Sequence, residues 1–489
     1  MEYRACLSNR FECTYRRLIA ASRIASVALF LLMLSHGVSA AASDSKGQVS
    51  VLPCGFSDAE FDTATDVRAL DEYRDAIAQL LKQEKFAELD CLADAARVSK
   101  ARFPGGGWKL RNIYLGLDSP RPGHPTHEDW LRHLELVERW VHQNPRSIAA
   151  PIALSESYTS YAWNARGDGT SGSVSESGWK LFGEHLEKAK AILDANSALA
   201  DKCPDWYVAM QNIALGQSWD RPRATALLQK AIAFEPRYQY YYRIYANYLL
   251  PKWNGEDGDA SRFAEESANR VGGEAGDALY FQIAEVIVCG CQEPEFTHFS
   301  WPRLQNGFAA SEKKFGVSVL LVNSFALMAA NSSDWVAADA AFKRIGDQWS
   351  EDKWSTEAWF KQNRDTAAQA APMQLRARGT RKEAQDNMQT PEGQAYRKEL
   401  ETKLAAFEQS CLKESTDDQH KAELFVRVGK DGSAENAQTQ ERPDAFAVCV
   451  MRELYLSYTR KETPFTAPPR PSYWVVMELD PATFAASAK

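Results

Sequence analysis

The sequence predicts a mainly α protein: an α-solenoid of helical hairpins, followed by a small C-terminal α/β module in the order helix, strand, strand, helix, strand. Two observations carry this. Apolar residues recur at helical spacing, interrupted by short polar turns, across residues 71–370. Alternation with a period of two is confined to the region after residue 420.

The chain opens on an export signal. Arg4, Arg10, Arg16, Arg17 and Arg23 precede an apolar run from Ile24 to Leu34, then Ser35-His36-Gly37 and the small residues Val38-Ser39-Ala40-Ala41. A positive region, a short apolar core and A-x-A-like spacing are what the export machinery and its peptidase need. The core falls short of the roughly 20 residues that span a bilayer. An uncleaved anchor is the alternative, and the break at Ser35 speaks for cleavage. The expected plan is a signal peptide over 1–40, an extended lead-in over 41–70, a helical domain over 71–370, a linker over 371–390 and an α/β domain over 391–489. The expected location is periplasmic or secreted, with no transmembrane segment after cleavage.

Charge and cysteine content agree with that address. The net charge is −8, and residues 1–40 hold five Arg and two Glu, so cleavage takes it to −11. An acidic chain without a basic tract is a poor match for nucleic acid. Of nine Cys, Cys6 and Cys13 leave with the signal, and seven remain. An odd number in an oxidising compartment leaves at least one thiol without an intrachain partner.

Along the body, Tyr73, Ile77, Leu80 and Leu81 mark one helix, and Phe86, Leu89, Leu92, Ala93 and Ala96 its return. Pro104-Gly105-Gly106-Gly107 stops this hairpin. Helices are expected over Trp130 to Val141, Ile152 to Ala162, Trp179 to Leu193, Trp206 to Leu215, Arg223 to Phe234 and Tyr238 to Leu250. Leu279 to Val288, Val317 to Ala330 and Asp334 to Gln348 complete the series. Ala224, Leu228, Ala231 and Pro236 fit the small, bulky, small and Pro offsets of a tetratricopeptide second helix, and Ala338, Phe342 and Ile345 echo them. The solenoid is therefore read as tetratricopeptide-like, an irregular helical bundle being the alternative.

The stretches Lys85-Phe86-Ala87-Glu88-Leu89-Asp90, Arg102-Phe103-Pro104-Gly105-Gly106-Gly107-Trp108, Tyr161-Ala162-Trp163-Asn164-Ala165-Arg166-Gly167 and Leu249-Leu250-Pro251-Lys252-Trp253 carry a resemblance. Over about residues 70–370 the chain resembles an exported bacterial family of unknown function with tetratricopeptide-like hairpins. The resemblance implies a fold and a compartment, and no activity.

In the C-terminal part, Thr390-Pro391 starts a helix running to about Cys411. Ala422, Leu424, Val426 and Val428 alternate with Glu423, Phe425 and Arg427. Lys430-Asp431-Gly432 makes a hairpin turn, a weaker strand follows through Ala434 and Ala437, Pro443 opens a helix, and Tyr473 to Leu479 is a last strand. The Lys430-Asp431-Gly432 turn, the Cys449 helix, and Phe465 with Pro468-Pro469 resemble the C-terminal domain of TonB-like energy transducers over about residues 411–480. That implies a small sheet with an edge open to another strand. Cys411 and Cys449 would lie on two helices of one sheet face, so they are the candidate disulfide; buried free thiols are the alternative.

The search for chemistry ends on surfaces. His124, His127, Glu128 and His133 read as exposed loop groups, because Pro125 and the surrounding Pro and Gly oppose a preformed zinc site. Cys289-Gly290-Cys291 lacks the usual redox spacing, and a bridge from it to a distant Cys such as Cys203 is the favoured reading. Gly105-Gly106-Gly107-Trp108-Lys109 reads as a turn, and Asp257, Asp259, Asp352 and Glu357 as solvated carboxylates. No catalytic residue, metal or cofactor is expected. Aromatic density is the strongest signal, and Trp163, Arg166, Asp205, Trp206, Tyr241, Tyr245, Lys252 and Trp253 form the candidate binding surface. Core wedges are the competing reading, favoured for the Tyr238, Tyr241, Tyr245 and Tyr248 stripe. The expected function is a periplasmic, non-catalytic binding or scaffold protein that contacts a protein, peptide or envelope component. The alternatives are an enzyme acting on envelope polymers through carboxylates in an aromatic cleft, and an accessory to energy transduction working through the C-terminal module.

Overall fold

A computed structural model describes residues 54–121, 123, 125–167, 169–288, 294–412, 422–439 and 445–479. The export signal, His124 and Cys289-Gly290-Cys291 lie outside the described residues. The chain divides into two compact units, residues 1–367 and 368–489.

From Ala69 onward the elements described in the first unit are helices. Helices α1 (Ala69–Lys82) and α2 (Phe86–Ser99) form a hairpin by burying Tyr73, Ile77 and Leu81 against Phe86, Leu89 and Ala93. This is one stripe of a 3.6-residue period on each helix. Helix α3 (Lys109–Leu117) follows the glycine turn; Leu110, Ile113, Tyr114 and Leu117 recur at helical spacing, and the polar Arg111 and Asn112 between them are buried as well. Helix α4 (His127–Gln143) starts on a capping box between Thr126 and Asp129. Helices α5 (Ala149–Arg166) and α6 (Glu176–Ala195) pack side by side, the second capped by Ser175. Then come α7 (Pro204–Gly216), α8 (Arg221–Phe234, capped by Asp220) and α9 (Tyr240–Tyr248). Helix α10 (Asp259–Val271) packs on α11 (Gly273–Ile287), and α11 on α12 (Trp301–Phe315). Helices α13 (Val319–Asn331) and α14 (Trp335–Ile345) make another pair, followed by the single turn α15 (Glu351–Trp354).

The lead-in corrects the sequence reading. Residues 54–68 are neither extended nor loose: Cys54 is bonded to Cys91, and Phe56 and Phe61 meet Tyr73 edge-on at 5.8 and 5.4 Å. The segment also reaches the far end of the unit. Val319 N–H donates to the Thr63 carbonyl at 3.2 Å, and Val67 N–H donates to Gln348 Oε1 at 3.0 Å. Backbone donors inside a packed unit must find acceptors, and these find theirs across more than 250 residues of sequence. The lead-in therefore touches the last hairpin.

Helix α16 (Glu357–Met388) begins in the first core, at Phe360, and ends in the second, at Ala384 and Met388. In the second unit, α17 (Pro391–Cys411) and α18 (Ala445–Thr459) accompany the strands β1 (Ala422–Val428), β2 (Ala434–Thr439) and β3 (Tyr473–Leu479). The sheet is antiparallel in the order β2-β1-β3. A disulfide joins Cys411 on α17 to Cys449 on α18. Phe425, predicted on the outward set of β1, is buried, and so is its register partner Val476. Adjacent residues in register share a face, so both faces of the sheet centre are covered.

The Cys54–Cys91 bond closes a loop of 37 residues. Breaking it with Cys54→Ser should lower unfolding stability by about 2–4 kcal/mol. Denaturant titration of the oxidised chain checks this, and an unchanged midpoint would contradict a tethered lead-in.

Candidate functional site

The residues singled out from the sequence separate into two groups. Trp163, Arg166 and Trp253 come together at the surface. Trp253 meets Trp163 edge-on at 5.6 Å, and the Arg166 guanidinium lies 5.7 Å from the Trp163 ring and 5.5 Å from that of Trp179. The guanidinium is held by the Gly167 and Gly169 carbonyls at 3.0 and 3.1 Å. Phe182 wedges against Trp163 at 5.0 Å, and Lys252 is exposed beside Trp253. Trp179 and Phe182 were missed, although they open the helix after the Gly/Ser loop.

Asp205, Trp206, Tyr241 and Tyr245 are core residues, which corrects the surface reading. Tyr241 and Tyr245 are covered because α9 lies between α7 and α11. Trp206 Nε1 donates to the Leu193 carbonyl at 3.3 Å, and the Tyr245 hydroxyl pairs with Thr225 at 2.6 Å. Asp205 is 0% exposed and accepts from the Arg111 guanidinium at 3.2 Å and from the Tyr238 hydroxyl at 2.6 Å. Arg111 also donates to Glu156 at 2.6 Å.

This ion cluster is the nearest thing to catalytic machinery among the described residues. One guanidinium faces two carboxylates, and Asp118 adds a third negative group nearby. Burial, with the fields of Asp205 and Asp118, pushes the Glu156 carboxyl up to about 7 despite Arg111. Yet the void that Glu156 lines with Asp118, Thr159 and Asn212 is about 10 Å³, room for about one water. No substrate reaches it. Cys203 lies alongside as a free, buried thiol, its Sγ 3.5 Å from the Tyr114 hydroxyl and its pKa raised to about 12 by burial. The expected bridge from Cys289 or Cys291 to Cys203 is therefore not made.

The histidine reading also changes. His127 and His133 sit on α4, not in a loop. His133 is buried, with Nε2 3.0 Å from the Leu117 carbonyl and 3.1 Å from the Ser157 hydroxyl, and burial lowers its pKa to about 4. His127 Nδ1 contacts the Tyr161 hydroxyl. Asp259, expected in solvent, is buried and paired with Arg221 and Arg262. Asp257, Glu295 and His298 bring their ligand atoms within 4.8 Å of one another. Glu295 is already held by the N–H groups of Gly258 and Ser261, at 2.8 Å each.

A polar cleft of about 120 Å³ opens where the first, middle and later hairpins converge. Its architecture starts at the glycine turn. Gly105 and Gly106 have φ of +83° and +91°, and a Cβ would lie 2.7 Å from Ser318 Cβ and 2.9 Å from the Phe315 ring, respectively. Only glycine lets this backbone seat against α12 and α13. Trp108 Nε1 donates to Gln239 Oε1 at 2.7 Å, and Gln239 Nε2 donates to the Gly106 carbonyl at 2.9 Å. Asn112 donates to the Trp108 carbonyl at 2.9 Å and accepts from Arg74 Nε and Nη2 at 3.0 and 2.8 Å. These groups, with Gln282 and Ser318, make a buried floor. Arg243 and Glu285, 3.9 Å apart, and Asp352 with Lys353 stand half-buried at the rim. Glu285 accepts from the Ser324 hydroxyl at 2.7 Å. A wider recess of about 370 Å³ lies beside Pro120, Arg121 and Pro125, next to positions outside the described residues.

The cleft was not foreseen from the sequence. Its signal was polar residues inside apolar runs: Gln282 and Glu285 within Leu279 to Val288, and Ser324 within Val317 to Ala330.

Glu156 gives a pH prediction. An ordinary Glu titrates near 4.5, and Glu156 in the folded chain near 7. Between those values the folded chain holds a proton that the unfolded chain has released. Stability from this group is full below pH 4.5 and is lost as pH rises to about 7. Glu156→Gln should remove that part of the stability–pH profile, as followed by thermal unfolding from pH 4 to 8; an unaltered slope would contradict the assignment.

Compared with family models, curated proteins and solved structures, the chain matches none.

Proposed function

We propose that the chain is a non-catalytic binding protein working outside the cytoplasm, and that its helical unit holds a ligand in the polar cleft. The cleft itself is the observation that carries this reading. It combines a floor of buried hydrogen-bonding groups with a rim of both charge signs, the combination that orients a polar ligand. The two disulfides suit an oxidising compartment. No helix among the described residues is long and apolar enough to cross a membrane. The sealing of Glu156 and Asp205 weighs against an enzyme built on those carboxylates, because a general acid must reach its substrate.

In this reading the hairpins are tetratricopeptide-like, curled so that the lead-in reaches the last of them, and the ligand lies inside the curl. The surface around Trp163, Arg166, Trp179 and Trp253 adds a place for a protein or peptide, through aromatic and cationic side chains. The second unit, read as TonB C-terminal-like, offers a further contact at a sheet edge. Near β3, Asn387 donates to the Trp474 carbonyl at 2.8 Å, so an incoming strand there would displace that contact; β2 is the more open edge.

Purified full chain exposed to the small-molecule fraction of an extracytoplasmic extract, desalted and denatured, should release one class of compound, identified by mass spectrometry and chemically unchanged. Arg243→Ala should cut the amount at least tenfold. Progressive conversion of the compound by the chain would contradict the reading.

A further inference from the structure

We propose that the cleft takes a small zwitterion: a free amino acid, or a molecule of that size with one carboxylate and one ammonium group. This rests on the binding reading above and goes on to name the ligand.

Three observations point to it. Gln282 is 5% exposed and lines the cleft, and its Nε2 has no hydrogen-bond partner. Buried polar side-chain groups are nearly always matched, and a small turn of the Gln282 amide from the Gly106 backbone toward the cleft would give this donor an acceptor on a ligand. Carboxylate and carbonyl oxygens are such acceptors. At the rim, charges stand in opposite-sign neighbours: Arg243 with Glu285 from α9 and α11, and Asp352 with Lys353 from α15. A dipolar ligand can set its carboxylate toward Arg243 or Lys353 and its ammonium toward Glu285 or Asp352, adding no net charge. A plain anion would meet two carboxylates, and a plain cation would meet an arginine and a lysine. Size is the third constraint. A volume of about 120 Å³ corresponds to roughly ten water positions, the scale of an amino acid's heavy atoms and too little for a folded segment.

The test is calorimetric titration of the full chain with the free amino acids one at a time, and with the N-acetyl and C-amide derivatives of any that bind. Glucose and inorganic phosphate serve as controls. Wild type is compared with Gln282→Leu, Arg243→Ala and the distant Trp179→Ala, each checked for folding by circular dichroism; Lys353→Ala at the rim replaces any cleft variant that fails to fold. At least one amino acid should bind saturably. Blocking either charged group should weaken it tenfold or more, and so should each cleft variant, while Trp179→Ala binds as wild type does. The proposal is overturned if no amino acid binds, if blocked derivatives bind equally well, or if the cleft variants bind unchanged. Retention of an extract compound that depends on Arg243, with no amino acid bound, would leave the cleft a binding site and remove the zwitterion. Failure of both would remove the two readings together.

Discussion

Arg111 is the side chain on which the helical unit depends. It lies on α3, is 1% exposed, and reaches Glu156 on α5 and Asp205 on α7. Moving a guanidinium and two carboxylates out of water is costly, and removing one partner from such a group leaves a buried charge uncompensated, about 3–5 kcal/mol. The three helices are thereby held in one mutual arrangement. Tyr238 extends the arrangement through its hydroxyl bond to Asp205 and its ring, 4.7 Å from that of Trp108. From Trp108 the chain of bonds runs to Gln239, the Gly106 carbonyl, Asn112 and Arg74, which together form the cleft floor. Ion cluster and cleft are joined through the Tyr238–Trp108 ring contact, the inner side sealed and the outer side open.

That division separates carboxylates sealed in the core from carboxylates that face the open cleft. Glu156 and Asp205 are enclosed by large side chains, with space for about one water. Glu285 and Asp352 stand half-buried beside cations, where pairing with an incoming group replaces lost water. A binding site works when its first contacts are held by a second layer that does not move. The glycine turn, pressed against Ser318 and Phe315, and the lead-in, bonded at Cys91 and hydrogen-bonded to Val319 and Gln348, supply that layer.

Much of the helical content was legible because most helices bury one stripe. Tyr73, Ile77 and Leu81 on α1, or Ala224, Leu228 and Ala231 on α8, announce themselves by spacing. Helix α3 has the same spacing at Leu110, Ile113, Tyr114 and Leu117, but it is short and directly follows the Pro104-Gly105-Gly106-Gly107 stop, and its buried Arg111 and Asn112 are invisible to an apolar pattern. Tyr241 and Tyr245 illustrate the limit for sites. An aromatic stripe has the same spacing whether it faces a groove or a neighbouring helix, and here α7 and α11 cover it. Trp163, Arg166 and Trp253 do lie together at the surface, but position at a helix end did not foretell it, since Asp205 and Trp206 open α7 and are buried. The cleft was not legible, since its walls come from residues 70 to 353 and only the folded chain brings them together.

The most direct measurement of the central claim is amide hydrogen exchange on the full chain, with and without the retained small molecule. The account predicts slowed exchange in residues 104–112, 239–243, 282–286 and 318–324, the segments that meet at the cleft. Protection confined to the second unit or to the surface around Trp179, with the cleft segments exchanging as before, would contradict it.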